Sequence, residues 1–357
     1  MENITWQKSK IDENALTTYI LKNIEEHPKE IVRQASIQFN ISRQTVYRYI
    51  KKQVECQNLI VNEEGKNKLY KLNEITQFYT FDLHQNHFDE EDIWRNNVKP
   101  SLPILSQNVN DICHYGIGEM VNNVIEHSGA SQLDVVVTYS ALRIRFRIHD
   151  DGIGIFTKIQ RDFNLCDKNH AILELSKGKL TSDPSNHSGE GIFFTSRMFD
   201  EFVILSEDTV FLHNDDDWLL PDMGKNSQGT SVHMTIERGS KREMKDVFNQ
   251  FTPGIDSEEY GFQKTTVPVK LLQYEGEALV SRSQAKRLLA RFDQFKEIVL
   301  DFKGILIIGQ PFAYEIFRVF QTKNPQTHLY PVNTNEDIER MIKLVKTKNK
   351  KTCFWQV

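Results

Sequence analysis

Between Leu133 and Glu237, five short stretches (LDVVVTYS, LRIRFRIHD, EFVILSED, DTVFLHN and GTSVHMTIE) have the composition of strands. Several of them alternate apolar and polar residues with a period of two. A further strand-like stretch, TQFYTFDL, precedes them, and helical segments and glycine-rich turns lie between. This pattern predicts an α/β sandwich over residues 76–240, with helices on one face of a mixed sheet.

The flanks differ. In residues 1–75, ALTTYILKNIEEH reads as an amphipathic helix with Leu16, Tyr19, Ile20 and Ile24 on one face. A second helix covers roughly Glu30 to Phe39. The turn FNIS places Ser42 to cap a third, RQTVYRYIKKQVE. LIVNEEGKNKLYKL then alternates around Glu64-Gly65 as a hairpin does. Three helices and a hairpin in this order predict a winged helix-turn-helix. Its third helix carries Arg43, Arg48, Lys51 and Lys52 with no acid between them, and Gln44 and Thr45 in the first turn. Basic side chains contact phosphates, and Gln, Thr and Arg read base edges, so DNA is the expected partner of Arg43, Gln44, Thr45, Arg48 and Lys51.

From about residue 264, TTVPVKLLQ and ALVSRSQAKRLLARFDQFKEIVLDF read as strand, helix and strand. GQPFAYEIFRVFQT is then a helix, HLYPVN a strand and EDIERMIKLVK a helix. The alternation predicts a small α/β domain over 255–357, ending in a basic tail, KTKNKKTCFWQV, read as a solvated end. A length of 357 residues suits such a multi-domain chain. With 39% hydrophobic and 26% charged residues it reads as soluble and globular, and a net charge of −5 makes any basic surface local. No apolar run reaches the roughly 18 residues of a membrane helix, and the opening MENITWQKSKIDEN lacks a secretory signal's apolar stretch. Cys56, Cys113, Cys166 and Cys353 lie far apart with no CxxC pair. That spacing argues against a zinc site or disulfide framework and suits a reducing cytoplasm, with no membrane partner.

The chemistry gathers in four motifs. In GEMVNNVIEH, a helical repeat puts Ile117, Met120, Val121, Val124 and Ile125 on one side. Glu119, Asn122, Asn123, Glu126 and His127 fall on the other, with no Lys or Arg among them. Glu119 and Asn123 are one turn apart. An amide oxygen can ligate Mg²⁺, and a carboxylate beside it can orient or deprotonate a nucleophile. Taken alone, that segment reads first as an ordinary core helix. HDDGIGI ends a strand with Asp150, Gly152 and Gly154, where a carboxylate can accept adenine's exocyclic amine. HSGEGIFFTSRMFD opens a helix at Gly189 and Gly191, suited to phosphate. Gly229-Thr230 opens a strand and places a hydroxyl to support the adenine-binding carboxylate.

Together and in this order, over about residues 100–238, these motifs resemble the GHKL ATP-binding fold. That group includes gyrase-type topoisomerases, heat-shock chaperones, histidine kinases and mismatch-repair ATPases; the nearest flavour looks like the anti-sigma-factor kinases. The resemblance implies ATP and Mg²⁺ as cofactors. It implies Glu119 as catalytic base, Asn123 as Mg²⁺ ligand, Asp150 at adenine with Gly152 and Gly154 shaping its pocket, Gly189 and Gly191 facing the phosphates, and Thr230 on the adenine side. Between Gly154 and Gly189 this fold keeps an ATP lid, where Lys177, Lys179, Thr181 and Ser182 would reach phosphate; Lys179 is the residue assigned. His127 reads as a hydrogen-bonded structural histidine.

The segment from LVSRSQAKRLL to GQPFAYEIFRVF resembles the STAS-like domains, distant relatives of anti-sigma antagonists. The antagonists start the second helix with Asp-Ser-Ser-Gly, whose serine is phosphorylated. Here Gly309, Gln310, Pro311 and Phe312 stand there and offer no hydroxyl, which speaks against a fused kinase–substrate pair. His84, His87 and His114 lack the context of a phosphoacceptor histidine, and His27, though before a proline, lies in the first segment. The expected function is a cytoplasmic regulator in which ATP binding and slow hydrolysis switch the binding of DNA, or of a protein partner through the STAS-like domain. Homodimerisation is a further expectation, since related ATP domains often dimerise. The alternatives are an anti-sigma-type serine/threonine protein kinase acting on a separate protein, and an ATP-gated scaffold without turnover.

Overall fold

The computed structural model describes residues 12–64, 67–84, 89–182, 188–214, 217–220, 227–252, 261–273 and 277–347. The tail beyond Thr347, Gly65 of the hairpin turn, and residues 183–187 of the expected lid lie outside the described residues.

Three helices come first: α1 (Glu13–Asn23), α2 (Ile31–Gln38) and α3 (Arg43–Glu55). The Asp12 carboxylate accepts from the amides of Asn14 and Ala15 at 3.0 Å, and Ser42 Oγ accepts from the Thr45 amide at 3.1 Å. Both are side-chain caps on otherwise orphaned helix donors. Leu16, Ile20, Ile24, Ile31, Ala35, Val46 and Ile50 are fully buried between the helices. The antiparallel hairpin β1 (Leu59–Glu64) and β2 (Asn67–Leu72) closes this small core with Leu59 and Leu72.

The middle unit is a seven-stranded sheet in the order β3-β4-β5-β9-β6-β7-β8. Its strands are β3 (Ile75–Asp82), β4 (Gln132–Tyr139), β5 (Arg143–Asp150), β6 (Glu201–Glu207), β7 (Thr209–His213), β8 (Asp217–Leu220) and β9 (Ser227–Glu237). Every neighbouring pair is antiparallel, which corrects the expected mixed sheet. The period-two pattern was the better guide, since a sheet with one wet face is characteristically antiparallel. Short turns join β4 to β5 and β6 to β7, and β9 returns between β5 and β6. On β5, Ile144, Phe146 and Ile148 point into the core, while Arg147 on the other face is exposed.

Two short helices, α4 (Glu90–Ile93) and α5 (Lys99–Ser101), flank a π-helical turn at Trp94–Val98. Then come α6 (Gln107–Asn123), α7 (Ile155–Asp162), α8 (Lys168–Lys177) and α9 (Gly191–Met198). Along α6, Val109, Ile112, Ile117, Met120 and Val121 are buried. Its last turn is not α-helical: Val124–Ser128 forms a π-turn that stops at Gly129, φ +65°. That places Glu126 and His127 off the regular wheel assumed for them. Gly116 is where α6 meets the chain after α9, because a Cβ there would run into the Phe199 ring. For Gly116→Ala, overpacking costs about 1–3 kcal/mol, against at most about 1 kcal/mol of helix propensity regained. Net destabilisation is expected, and an unchanged urea midpoint would contradict the close approach.

The C-terminal unit has three parallel strands, β10 (Lys264–Pro268), β11 (Glu297–Asp301) and β12 (His328–Val332), in that order. Between the middle sheet and β10 runs α10 (Met244–Phe251). Helix α11 (Arg282–Leu289) links β10 to β11. Helix α12 (Gln310–Tyr314), a π-helical stretch Glu315–Phe320 and α13 (Gln321–Lys323) link β11 to β12. Parallel neighbours require such crossovers. Helix α14 (Glu336–Thr347) follows β12 and buries Ile338, Ile342 and Val345. The middle and C-terminal units share one continuous apolar core. At their junction the Phe262 ring lies 4.5 Å from Phe193, 5.1 Å from Phe194 and 5.4 Å from Phe295, centroid to centroid. The N-terminal unit has its own core and meets the middle one through Ala141 and Leu142, which pack against it, and through ion pairs including Lys22–Glu237 at 3.1 Å and Arg143–Glu25 at 3.2 Å. Among the described residues, no helix is long and apolar enough to cross a membrane.

Candidate functional site

Strand β5 ends on Asp150, which is 3% exposed. Its Oδ1 accepts from the Gly152 amide at 2.9 Å. Burial pushes this carboxyl up, opposed by the amides of Gly152 and Thr230. A side chain at Gly152 would strike the Ser128 carbonyl. Gly154 holds φ +82°, and a Cβ there would sit 2.7 Å from Ser206 Oγ. These two glycines therefore fix the turn from β5 into α7. Thr230 lies opposite Asp150 in the β5–β9 register. Its hydroxyl accepts from the Ile155 amide at 3.0 Å, capping α7. The expected hydroxyl support of Asp150 is thus supplied by the Thr230 backbone amide, while the side chain serves the helix.

On α6, Glu119 lies against the start of α9: a Cβ on Gly191 would collide with Glu119 Oε2. One turn earlier, Tyr115 hydrogen-bonds to Glu119, and burial followed by the charges of Glu119 and Glu190 pushes the phenol far up. Asn123 Nδ2 is buried with no hydrogen-bond partner among the described residues, which costs desolvation. Gly189, at φ +66°, is pressed against Leu180, whose amide donates to the Gly189 carbonyl at 3.1 Å.

These residues meet. Glu119, Asn123, Asp150, Gly154, Gly189, Gly191 and Thr230 line one cavity of about 320 Å³. Gly152 is not on its wall but behind Asp150. Lys179, assigned to phosphate from the sequence, is not among the lining residues either. Its Nζ donates to the Gln294 carbonyl at 3.1 Å and lies 5.0 Å from the Phe295 ring centre. The neighbouring Leu180, Thr181 and Ser182 line the cavity instead. Lys177 is also turned away, fully buried on Glu174. His127 lines the cavity, its Nε2 3.9 Å from Glu126 Oε2.

Sequence reasoning missed two parts of this wall. One is the apolar slot of Ile155, Ile159, Phe163, Leu175 and Val232; the strong amphipathicity of IFTKIQRD was its available signal. The other is Lys158, paired with Asp162 at 2.5 Å, for which no motif stood out. An apolar slot ending in one buried carboxylate suits a planar ring that carries an N–H donor. Glycines at the N-terminus of α9 leave backbone amides open to an anion. The residues also fit Mg²⁺, since the Asn123 side-chain carbonyl and the Glu119 carboxylate offer hard oxygens one helix turn apart on the cavity wall.

On α3, Arg43, Gln44, Arg48 and Lys51 are exposed. Thr45 is half-buried, with its hydroxyl 2.9 Å from Ser42 Oγ in the helix cap. Acids reach this helix from outside the basic run: Glu55 lies 3.7 Å from Lys51, and Glu13 3.8 Å from Lys52.

At the opposite end of the chain, α11, β11, the α12 turn and β12 lie in one parallel α/β layer. Residues 284–339 match the family model of a STAS-like domain of unknown function (DUF4325). No curated protein matches the chain. The chain is therefore a multi-domain mixed α/β protein with a STAS-like domain at its C-terminal side. That domain grips the segment leading into the cavity. Lys177 Nζ donates to Glu174 at 2.6 Å and to the carbonyl of Ala290 in the STAS-like domain at 3.0 Å. Arg291 of the STAS-like domain bonds Glu174 Oε2 at 2.7 Å. Burial pulls Lys177 down to about 8 against the opposing charge of Glu174. Within the STAS-like domain Gly309 caps α12 and Pro311 sits in its first turn.

Proposed function

We propose that the middle unit is a GHKL-type ATP-binding domain, and that the protein is a nucleotide-switched regulator binding DNA through an N-terminal winged helix. The observation that carries this reading is the cavity itself. Buried Asp150 stands on its wall beside an apolar slot, and Glu119, an unpartnered Asn123 amide and the glycine-opened end of α9 share the same space.

In this reading Asp150 accepts a hydrogen bond from adenine's amine while the amides of Gly152 and Thr230 hold its carboxylate in place. The slot around Ile159 and Val232 excludes water from the ring. The amide oxygen of Asn123 would hold Mg²⁺ and the α9 amides the phosphate, and the metal would neutralise phosphate charge. Glu119 takes a proton from the attacking water onto its carboxylate, with Tyr115 fixing its orientation. Nucleotide occupancy then alters how Arg43, Gln44, Arg48 and Lys51 are presented to DNA.

Calorimetric titration with Mg-ATP and Mg-GTP tests the site. Wild type is expected to bind ATP and discriminate against GTP. Asp150→Asn is expected to weaken ATP binding roughly 10- to 100-fold, the worth of a buried hydrogen bond to a charged group. Equal affinity for both nucleotides, or none for ATP, rejects the nucleotide reading. DNA affinity unchanged by saturating ATP rejects the switch, and transfer of labelled phosphate to another protein would favour a kinase.

A further inference from the structure

The segment from Glu174 to Ser182, which carries the cavity-lining Leu175, Leu180, Thr181 and Ser182, is held by the C-terminal unit, and one arginine makes four of the hydrogen bonds. The Arg291 guanidinium donates to four oxygens of that segment: Glu174 Oε2 at 2.7 Å, Glu174 O at 2.9 Å, Gly178 O at 3.0 Å and Lys179 O at 2.7 Å. Three of the four are backbone carbonyls, so the contact fixes the path of the chain as well as a side chain. The next residues, Leu180, Thr181 and Ser182, form the cavity wall, with Leu180 bonded to Gly189. Around the guanidinium, Thr265 Oγ1 donates to the Lys177 carbonyl at 2.8 Å, and Lys179 Nζ to the Gln294 carbonyl. Arg291 itself has φ +60°, a conformation uncommon outside glycine, which persists where surroundings over-determine it.

We propose that Arg291 is a positioning residue for the nucleotide cavity: reaching in from the STAS-like domain, it holds residues 174–182 in the shape that binds nucleotide, so STAS docking and nucleotide binding are linked. The proposal rests on the ATP reading above and extends it to a domain none of whose described residues lines the cavity. A guanidinium suits the task because its planar fork reaches several acceptors at once, whereas a lysine is a point charge. Linkage is reciprocal: if the docked STAS-like domain favours nucleotide, nucleotide favours docking by the same factor. A partner that pulls the STAS-like domain away would then lower ATP affinity.

The test uses the full-length chain, with Mg²⁺ and adenylyl imidodiphosphate as probe. Calorimetry gives Kd, and hydrogen exchange is followed at residues 174–182 and 282–294. In wild type, saturating probe is expected to slow exchange at 282–294, which a merely structural arginine would not require. Arg291→Ala is expected to speed exchange at 174–182 without probe and to weaken binding about 10- to 100-fold, the worth of roughly one hydrogen bond to a charged group. Arg291→Lys, which keeps the charge beside Glu174, is expected to lie between and serves if the alanine variant does not fold. Wild-type exchange at 174–182 together with wild-type Kd in the lysine variant, or no effect of probe on 282–294, overturns the proposal. A wild type that binds no probe sinks the ATP reading. The nucleotide-free exchange at 174–182 then still decides whether Arg291 positions the wall.

Discussion

Replacing Glu174 by alanine is expected to lower the unfolding free energy by about 3–5 kcal/mol, the cost of breaking a buried charge cluster on one side. Glu174 is 2% exposed and faces both Lys177, fully buried, and Arg291. Removing its carboxylate leaves two cations in a water-poor junction with carbonyl oxygens alone for company. Urea denaturation of the two proteins measures the difference, and a loss below about 1 kcal/mol, the value of an exposed pair, would show that the cluster is not buried in solution. The same residue sets a pH dependence. Burial pushes the Glu174 carboxyl up, but Lys177, His170 and Arg291 together outweigh it and hold it at about 2, below its ordinary 4.5. A carboxyl depressed on folding stabilises above its unfolded value and loses that contribution as pH falls through its folded one. Wild type should therefore lose, between about pH 4.5 and 2, a stability increment that Glu174→Gln does not have. Parallel acid titrations of the two proteins test this, and identical acid slopes would count against it.

Glu119→Gln is expected to cut ATP turnover by about 10²–10⁴-fold, the contribution of a positioned general base, while nucleotide binding stays within a few-fold of wild type. Glutamine keeps the volume that α9 demands, since the space at Gly191 leaves nothing over. What it loses is a group able to take a proton. Tyr115 cannot substitute, because its phenol is pushed up and its hydroxyl is committed to Glu119. Glu190, at the cap of α9 and itself raised by burial, is a second carboxyl close to this end. Glu190→Gln with near wild-type turnover would assign the proton to Glu119, whereas the reverse pattern would move the role to Glu190. Single-turnover phosphate release beside calorimetric Kd separates chemistry from binding. Full turnover by Glu119→Gln would remove Glu119 from the chemistry altogether.

The site was legible to different depths at different residues. Asp150, Gly152 and Gly154 stood out because a turn that forbids side chains leaves glycines in the text. Glu119 and Asn123 stood out only as neighbours on one helix turn, and the same letters would have suited a plain core helix. Thr230 stood out as a hydroxyl opening a strand, whereas its pairing opposite Asp150 and its bond to the Ile155 amide of α7 appear only in the fold. Charge and nearness in sequence point Lys179 to phosphate. The aromatic junction of Phe262 and Phe295 drew its ammonium the other way. The π-turn at Val124–Ser128 left no sign at all in the periodicity.

The sequence by itself determined what depends on near neighbours. Helix α3 runs Arg43–Glu55 as its pattern required, capped at Ser42, and the strands of the sheet followed from alternation. Caps, amphipathic faces and glycine turns are settled within a few residues, so they are written locally. The STAS-like character of residues 284–339 was readable in the same way, from a strand and the helix after it. Only the tertiary structure decided strand direction, the single core shared by the middle and C-terminal units, and the grip of Arg291 on Glu174. Those depend on which distant segments are brought together, and a buried charge among distant partners looks, in sequence, like any other surface arginine.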